Sequence, residues 1–172
     1  MAGRDPGEAC PPLALPKPGQ AEDLTRFQQW LETAIPLAGH FGMRRLYWQD
    51  ATLLGDVRLA PNLNDKGTGF GGSLAAQATL LGWCWVTLWL RARGWHRNVV
   101  VAEATQRYRA PVTADYRLSC YAARAEQPSR LAARLDERGK GRIKLVQQVH
   151  VEDMLCFEAL GDYVILPDDK RG

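Results

Sequence analysis

The sequence has little of what marks metal sites, disulfide frameworks or nucleic-acid binding. Its 172 residues include three histidines and four cysteines, and no two cysteines form a CxxC pair. This pattern argues against structural zinc and disulfides, and we interpret the cysteines as reduced thiols of a cytoplasmic protein. The formal net charge of +3 is too small to indicate a nucleic-acid partner. We expect no metal and no separate cofactor.

Charged residues are absent from residues 67–90, and the part from Leu74 onward is mostly apolar. A run of this length approaches the roughly 20 residues that cross a bilayer, so a membrane helix is one interpretation. A helix that is apolar on all sides can also be the buried centre of a domain. Gln77, Thr87 and the strand-like sequence that follows favour the buried helix, so no membrane attachment is predicted.

The first twenty residues contain five of the ten prolines and lack the apolar run of a signal peptide. We interpret residues 1–20 as a disordered, proline-rich leader. The remaining length fits one domain, predicted to span residues 21–168. With 46% hydrophobic and 24% charged residues, the composition is that of a folded globular protein.

Hydrophobic periodicity predicts an α+β protein with one long helix. A short amphipathic helix is expected from Leu24 until Pro36 stops it, and strands follow over 41–48 and 53–60. The long uncharged helix is expected to start near Gly71 and to end before Gly94.

After this helix the pattern predicts about five antiparallel strands joined by short turns. These strands are expected at 99–109, 112–120, 131–135, 143–151 and 155–165. Because an apolar helix must be covered on every side, we expect a strongly curved antiparallel sheet wrapped around it.

The candidate chemistry lies in the polar, glycine-rich loop 61–70 and at the start of the long helix. N–H groups at a helix N-terminus have no intrahelical acceptor and carry the positive end of the dipole. Glycines at 71 and 72 let a ligand carbonyl approach those N–H groups, as in an oxyanion hole. Asn64 offers a neutral donor to the same carbonyl. The loop can also be a plain connection, because glycine and Asx residues dominate turns.

A competing interpretation uses the same glycines. Gly67, Gly69 and Gly72 match the GxGxxG pattern of dinucleotide-binding folds. That motif requires a parallel βαβ unit and an acidic residue about 20 positions further on. No alternating helices follow, and the first acidic residue after the motif is Glu103, so we set this interpretation aside.

Several separated motifs resemble the YiiD C-terminal thioesterase family. They are Ile35-Pro-Leu-Ala38, Ala60-Pro-Asn-Leu-Asn-Asp-Lys-Gly-Thr68, Phe70-Gly-Gly-Ser73, Gly82-Trp83, and Tyr108 with Pro111-Val112. Residues 64–72 also resemble the Asn-x-x-Gly-Thr-x-His-Gly-Gly signature of thioesterases of the phenylacetyl-CoA type. The resemblance runs from about Leu24 to Ile165 and implies a hotdog fold, in which the sheet wraps a long central helix. It also implies a homodimer or a dimer of dimers, with the site between protomers.

The resemblance assigns roles position by position. Asn64 falls on the asparagine that polarises the thioester carbonyl, and Gly71 on the residue whose N–H completes the oxyanion hole. Thr79 falls where the wider superfamily has its catalytic Asp or Glu, and Val101 where it often has a serine. The residues expected to contact the substrate are Thr68, Phe70 (in place of a common histidine), Gly72, Ser73 and Thr79.

The general base of hydrolysis is therefore missing from its usual position. Asp65, beside Asn64, is our candidate for a replacement catalytic carboxylate, with Glu103 as another. Asp65 can also cap or brace the loop, since Asx residues favour such positions.

Three functions remain open at this point. Hydrolysis of an acyl thioester on coenzyme A or acyl carrier protein needs a base or a nucleophile. Decarboxylation of a malonyl thioester, to which members of the family have been linked, needs only stabilisation of the enolate oxygen. The third is acyl-thioester binding without turnover. Coenzyme A or phosphopantetheine would be part of the substrate, and its phosphates or an acidic carrier surface could meet basic residues near 138–144 and 91–97.

Overall fold

The computed structural model describes residues 4–167, which form three α-helices and six strands. In chain order these are α1 (Leu24–Ala34), β1 (Met43–Gln49), β2 (Thr52–Val57), α2 (Gly71–Arg91), β3 (Val99–Tyr108), β4 (Tyr116–Ala122), α3 (Gln127–Arg138), β5 (Gly141–Val151) and β6 (Met154–Ile165). Short 3-10 turns at Pro36–His40 and Ala60–Asn62 precede β1 and α2.

The six strands form one antiparallel sheet in the order β1-β2-β4-β5-β6-β3. Helix α2 lies against five of the strands, β2 to β6. Its apolar residues are buried on several sides, as the almost fully covered Leu81, Val86 and Leu90 show. The α+β class and the hotdog arrangement predicted from the sequence are confirmed.

Helix α2 is also long and apolar enough to cross a membrane, by length and composition alone. Most of its apolar stretch is buried within the domain, against the sheet. The apolar composition is therefore explained by the position of α2 in the core.

The strand predicted over residues 131–135 is wrong, because these residues belong to α3. Leu131 and Leu135 do alternate with other residues, but they are also four apart and share one buried helix face. Gly139 follows the helix in the left-handed conformation, with φ of 66°, and ends it. Four strands rather than about five therefore follow α2, and the one predicted to begin at residue 112 begins at Tyr116.

Residues 4–20 form neither helix nor strand, yet they contact the domain. Arg91, buried at the end of α2, donates hydrogen bonds to the carbonyls of Leu13 and Ala14 at 2.8 and 2.7 Å. These bonds attach the segment to the core helix. The boundary at residue 20 stays a prediction, and residues 1–3 and 168 lie outside the described residues.

Candidate active site

The loop before α2 folds back on itself as a short hairpin. The Asn64 N–H donates to the Thr68 carbonyl at 2.8 Å, and the Phe70 N–H donates to the Asn62 carbonyl at 2.7 Å. Gly67, at the tip, has φ of 73°, a value that glycine adopts readily. The hairpin ends at Phe70, the residue immediately before the first turn of α2.

The Asn64 side chain braces this hairpin. Its Oδ1 accepts from the N–H groups of Lys66 and Thr68 at 2.9 and 3.1 Å, and its Nδ2 donates to the Thr68 hydroxyl at 2.9 Å. The other Nδ2 contact, to the Gly69 carbonyl, is long at 3.4 Å and correspondingly weak. The second amide hydrogen is therefore only weakly engaged and is available to a ligand carbonyl, while the other three bonds keep the loop in shape.

Asp65 lies on the outer side of the hairpin. Its carboxylate pairs with Lys66 at 3.0 Å, and its side chain is 80% exposed. It does not line the apolar groove described below. The structure therefore gives Asp65 the position of a solvated loop residue rather than that of a base beside the groove.

The first turn of α2 presents unpaired N–H groups. Leu74 makes the first helical bond, to the Phe70 carbonyl at 3.1 Å. The N–H groups of Gly71, Gly72 and Ser73 have no backbone acceptor within residues 4–167, as expected for a helix start. Such groups can stabilise a developing negative charge on oxygen.

Tyr108, at the end of β3, lies over this helix start. Its hydroxyl donates to the Gly71 carbonyl at 3.0 Å. A Cβ on residue 71 would be only 3.0 Å from the Tyr108 ring. The glycine thus allows β3 to pack closely beside the oxyanion-hole candidate, and the sequence analysis did not assign Tyr108 this role.

An apolar groove of about 430 Å³ lies between α2, β3 and the turn before β1. Its lining includes Ile35, Ala76, Thr79, Trp83, Val101 and Gln106. None of the residues that line the groove is ionisable. The groove therefore suits an apolar chain and offers no acid or base from the residues that line it.

Thr79 and Val101, two positions that the resemblance singled out, meet in this groove. The groove therefore contains the position at which the sequence resemblance implies a catalytic carboxylate, and this chain has Thr79 there. An irregularity in β3 between Val101 and Glu103 reverses the alternation of the side chains, so Glu103 faces the same side as Thr105 and Arg107 and not the side of Val101. Thr105 and Arg107 line a separate groove on the sheet. Glu103 therefore points away from Thr79.

Ser73 belongs to a buried polar network that the sequence analysis missed. Asn62 Oδ1 accepts hydrogen bonds from the Ser73 hydroxyl and, at 2.8 Å, from Gln77 Nε2, while the Tyr116 hydroxyl donates to Gln77 Oε1 at 2.8 Å. Burial raises the pKa of Tyr116 to about 12, outweighing the opposite effect of the Gln77 hydrogen bond, so Tyr116 stays a neutral donor.

The network changes the interpretation of Ser73, which was expected to contact substrate. Its hydroxyl is held between Asn62 and Gln77 and joins the loop to α2. The signal for this was the spacing of Ser73 and Gln77, four residues apart on an otherwise apolar helix. Buried polar side chains need partners, and such a pair indicates a shared one.

Cys84 and Cys120 are buried and are unsuited as nucleophiles. Burial raises the pKa of the Cys84 and Cys120 thiols, so neither is a thiolate at neutral pH. In the part of the chain that the structure describes, no three His, Cys, Asp or Glu side chains cluster as metal ligands would.

A curved antiparallel sheet around a long helix, with a glycine-rich helix start beside an apolar groove, is the arrangement of a hotdog-fold protein. The particular family is also identified. The chain belongs to the YiiD C-terminal family, whose model, described as "Putative thioesterase (yiiD_Cterm)", matches residues 24–167. The resemblance drawn from the sequence motifs is confirmed.

Solved structures agree with this assignment. The domain is similar to a structure described as a putative thioesterase from Shewanella oneidensis, with 30% identity and a TM-score of 0.75 over 84% of this chain and 97% of that one. A protein of unknown function from Chlorobaculum tepidum is 28% identical, with a TM-score of 0.75 over 84% and 94% of the two chains. A thioesterase from Haemophilus influenzae, 11% identical with a TM-score of 0.69 over 88% and 96%, shares the fold.

Proposed function

We propose that this protein hydrolyses acyl thioesters carried by coenzyme A or acyl carrier protein in the cytoplasm. The observation that carries the proposal is the apolar groove beside the unpaired N–H groups of α2. The acyl chain lies in the groove. The thioester oxygen accepts from the N–H groups of Gly71 and Gly72 and from the Asn64 amide. Negative charge that develops on this oxygen is thereby stabilised.

Hydrolysis also requires an activated water molecule. A positioned general base typically contributes about 10²–10⁴-fold in rate. Since no ionisable side chain of this protomer lines the groove, hydrolysis is slow or draws its base from a second protomer.

The absence of an acid from the groove lining favours malonyl-thioester decarboxylation as a second candidate. In that reaction the bond to the carboxylate breaks, carbon dioxide leaves, and the electron pair forms an enolate on the thioester. The same N–H groups and Asn64 stabilise the enolate oxygen, and a proton then completes the acetyl thioester. No base is needed.

The intact mass of acyl carrier protein distinguishes these reactions. We expect the purified protein to remove the whole acyl group from long-chain acyl carrier protein, leaving the free thiol. A malonyl carrier that loses only carbon dioxide would instead assign decarboxylation. Carriers that bind but keep their mass would identify a non-catalytic acyl-thioester binding protein and contradict both reactions. Carrier without protein is the control.

We further propose that the protein forms a homodimer, or a dimer of dimers, by pairing of β3 strands. β3 is an edge strand, and residues 100–108 are exposed, including the apolar Val100 and Tyr108. An apolar edge is rarely left uncovered. Val101 and Gln106 lie both on this strand and in the groove, so a second protomer would close the groove.

Replacing Val100 with glutamate should weaken this dimer, because pairing of the β3 edges would bury a carboxylate of each protomer in the interface. We expect sedimentation equilibrium to show a dimer for the wild type and a dissociation constant raised about tenfold or more in the variant, from about 1.4 kcal/mol of lost association energy. Arg44→Glu, on the opposite edge strand β1, is the matched control. A dimer that tolerates Val100→Glu as well as Arg44→Glu contradicts pairing through β3.

A groove of about 260 Å³ with basic residues in its lining is a candidate binding site for an anionic carrier. Arg134 and Arg138 of α3 line it together with Lys140 and Arg142 at the start of β5. We propose that these side chains meet the phosphates of coenzyme A or the acidic surface of a carrier protein. Arg138, Lys140 and Arg142 belong to the basic segment noted in the sequence. Arg134 joins them because it lies one helical turn before Arg138 in α3.

A further inference from the structure

A second cavity lies farther along α2, behind the apolar groove. It measures about 190 Å³. Its wall combines apolar residues, among them Trp30, Trp83, Trp95 and Leu13, with Thr87 and with polar residues at the end of α2 and after it, which are Arg91, His96, Arg97 and Asn98. Neither the family features nor the proposed reaction assigns it a role.

Trp83 separates this cavity from the groove, since it lines both. On α2, Thr79 belongs to the groove and Thr87 to the second cavity, and each lies one turn from Trp83 on the same helix face. On β3 the order matches, because Val101 lines the groove and Val99 the second cavity. The two cavities are thus successive sections of one path between α2 and β3, with the Trp83 ring between them.

The Trp83 ring is held in place from two sides. Its Nε1 donates to the Val99 carbonyl at 3.0 Å. Its face lies against Trp30, with ring centroids 6.3 Å apart and an angle of 22° between the planes. Trp30 in turn donates from Nε1 to the Pro11 carbonyl at 2.9 Å. The Trp83 ring, which forms a partition between the two cavities, is therefore held in place by β3, by α1 and by the N-terminal segment.

The wall behind Trp83 contains an unsatisfied polar atom. The Thr87 hydroxyl oxygen is buried and has no hydrogen-bond partner within residues 4–167. Buried polar groups normally find a protein or water partner.

We propose that the second cavity is the distal section of the acyl-binding path, and that Trp83 sets the longest acyl chain that the site accepts. This inference rests on the proposed function. With a rise of about 1.5 Å per residue, Trp83 lies about 18 Å along α2 from Gly71, and Thr87 about 24 Å. A chain whose thioester is at the helix start therefore meets Trp83 at its far end.

The test measures binding of S-alkyl coenzyme A thioethers, which cannot be hydrolysed, with alkyl chains from butyl to hexadecyl. For the wild type we expect affinity to rise severalfold with each buried methylene and then to stop rising. Trp83→Ala joins the two cavities, so the rise continues to longer chains. We expect affinity for chains beyond the wild-type limit to increase about tenfold or more, while short chains change by less than about threefold.

Three variants control for effects on folding. Trp83→Phe keeps a ring in the partition without the bond to Val99 and should keep the wild-type limit. Trp83→Leu, which conserves more core volume than alanine, should extend the limit even if Trp83→Ala does not fold. In the Trp83→Ala, Thr87→Trp double variant the second cavity is refilled, and the original limit should return.

The outcomes separate this inference from the proposed function. If no thioether of any length binds the wild type, the acyl-thioester site itself is refuted. If thioethers bind but the wild type, Trp83→Leu and Trp83→Ala share one length limit, the site stands and the role of Trp83 is refuted.

Discussion

Replacing Gly82 with alanine is expected to destabilise the domain by about 3 kcal/mol, at the upper end of the usual cost of overpacking. Gly82 lies in the middle of α2, where alanine would otherwise stabilise the helix by about 1 kcal/mol. The added Cβ would lie 2.0 Å from the Tyr163 hydroxyl oxygen. Tyr163 is fully buried, and its hydroxyl donates to the Thr79 carbonyl at 2.9 Å, so the ring cannot turn away.

Urea denaturation of the variant measures this effect. Gly72→Ala, at the start of the same helix, is the matched control, because the atoms nearest its Cβ belong to the exposed Phe70 ring, which is free to rotate. Adding Tyr163→Leu to Gly82→Ala removes the clashing atoms, and the double variant should lose less stability than the sum of the single losses. A Gly82→Ala protein as stable as Gly72→Ala would contradict this account of the packing.

Replacing Asn64 with aspartate is expected to lower kcat by about 10²–10³-fold, the usual cost of removing one oxyanion-hole donor. The aspartate keeps an oxygen that accepts from the N–H groups of Lys66 and Thr68, so the hairpin retains two of its bracing bonds. It loses the N–H that would polarise the thioester carbonyl. Asn64→Ala removes both functions and should be at least as inactive.

Kinetics and thermal denaturation measured together distinguish donation from bracing. Thr68→Val serves as the control, because it removes the hydroxyl that accepts from Asn64 Nδ2 and leaves the amide itself in place. We expect Thr68→Val to keep activity within about tenfold, the effect of one hydrogen bond of roughly 1 kcal/mol. Full activity in Asn64→Ala would show that Asn64 is not part of the site, whatever effect the substitution has on stability.

The α3 region shows why local pattern alone misassigned one element. Leu131, Ala133 and Leu135 satisfy the alternation of a strand, while Leu131 and Leu135 equally satisfy the spacing of a helix. Pro128 near the start and Gly139 after the end favour the helix. In a short segment both periods fit, and the residues at its two ends decide that it forms a helix.

The candidate site was predictable in part. Motifs along the chain located the loop and the helix start, because backbone N–H groups at a helix N-terminus follow from the helix itself. The residues that face those groups were harder to predict from the sequence. Ser73 lies in a buried network and Asp65 in solvent, although both adjoin residues of the predicted site.

The sequence by itself determined that a long helix forms the core of a curved antiparallel sheet, because a helix without charge on any face needs apolar cover on every side. The sequence also identified the family, because each of the family motifs consists of residues that are neighbours in the chain. Only the tertiary structure decided that Asn62 is the buried asparagine and that Asn64 is the one that braces the hairpin loop. That choice depends on Tyr116 and Gln77, which contact each other across the fold and are far apart in the chain. The Trp83 partition was decided in the same way, since it exists only where α2, β3 and the N-terminal segment meet.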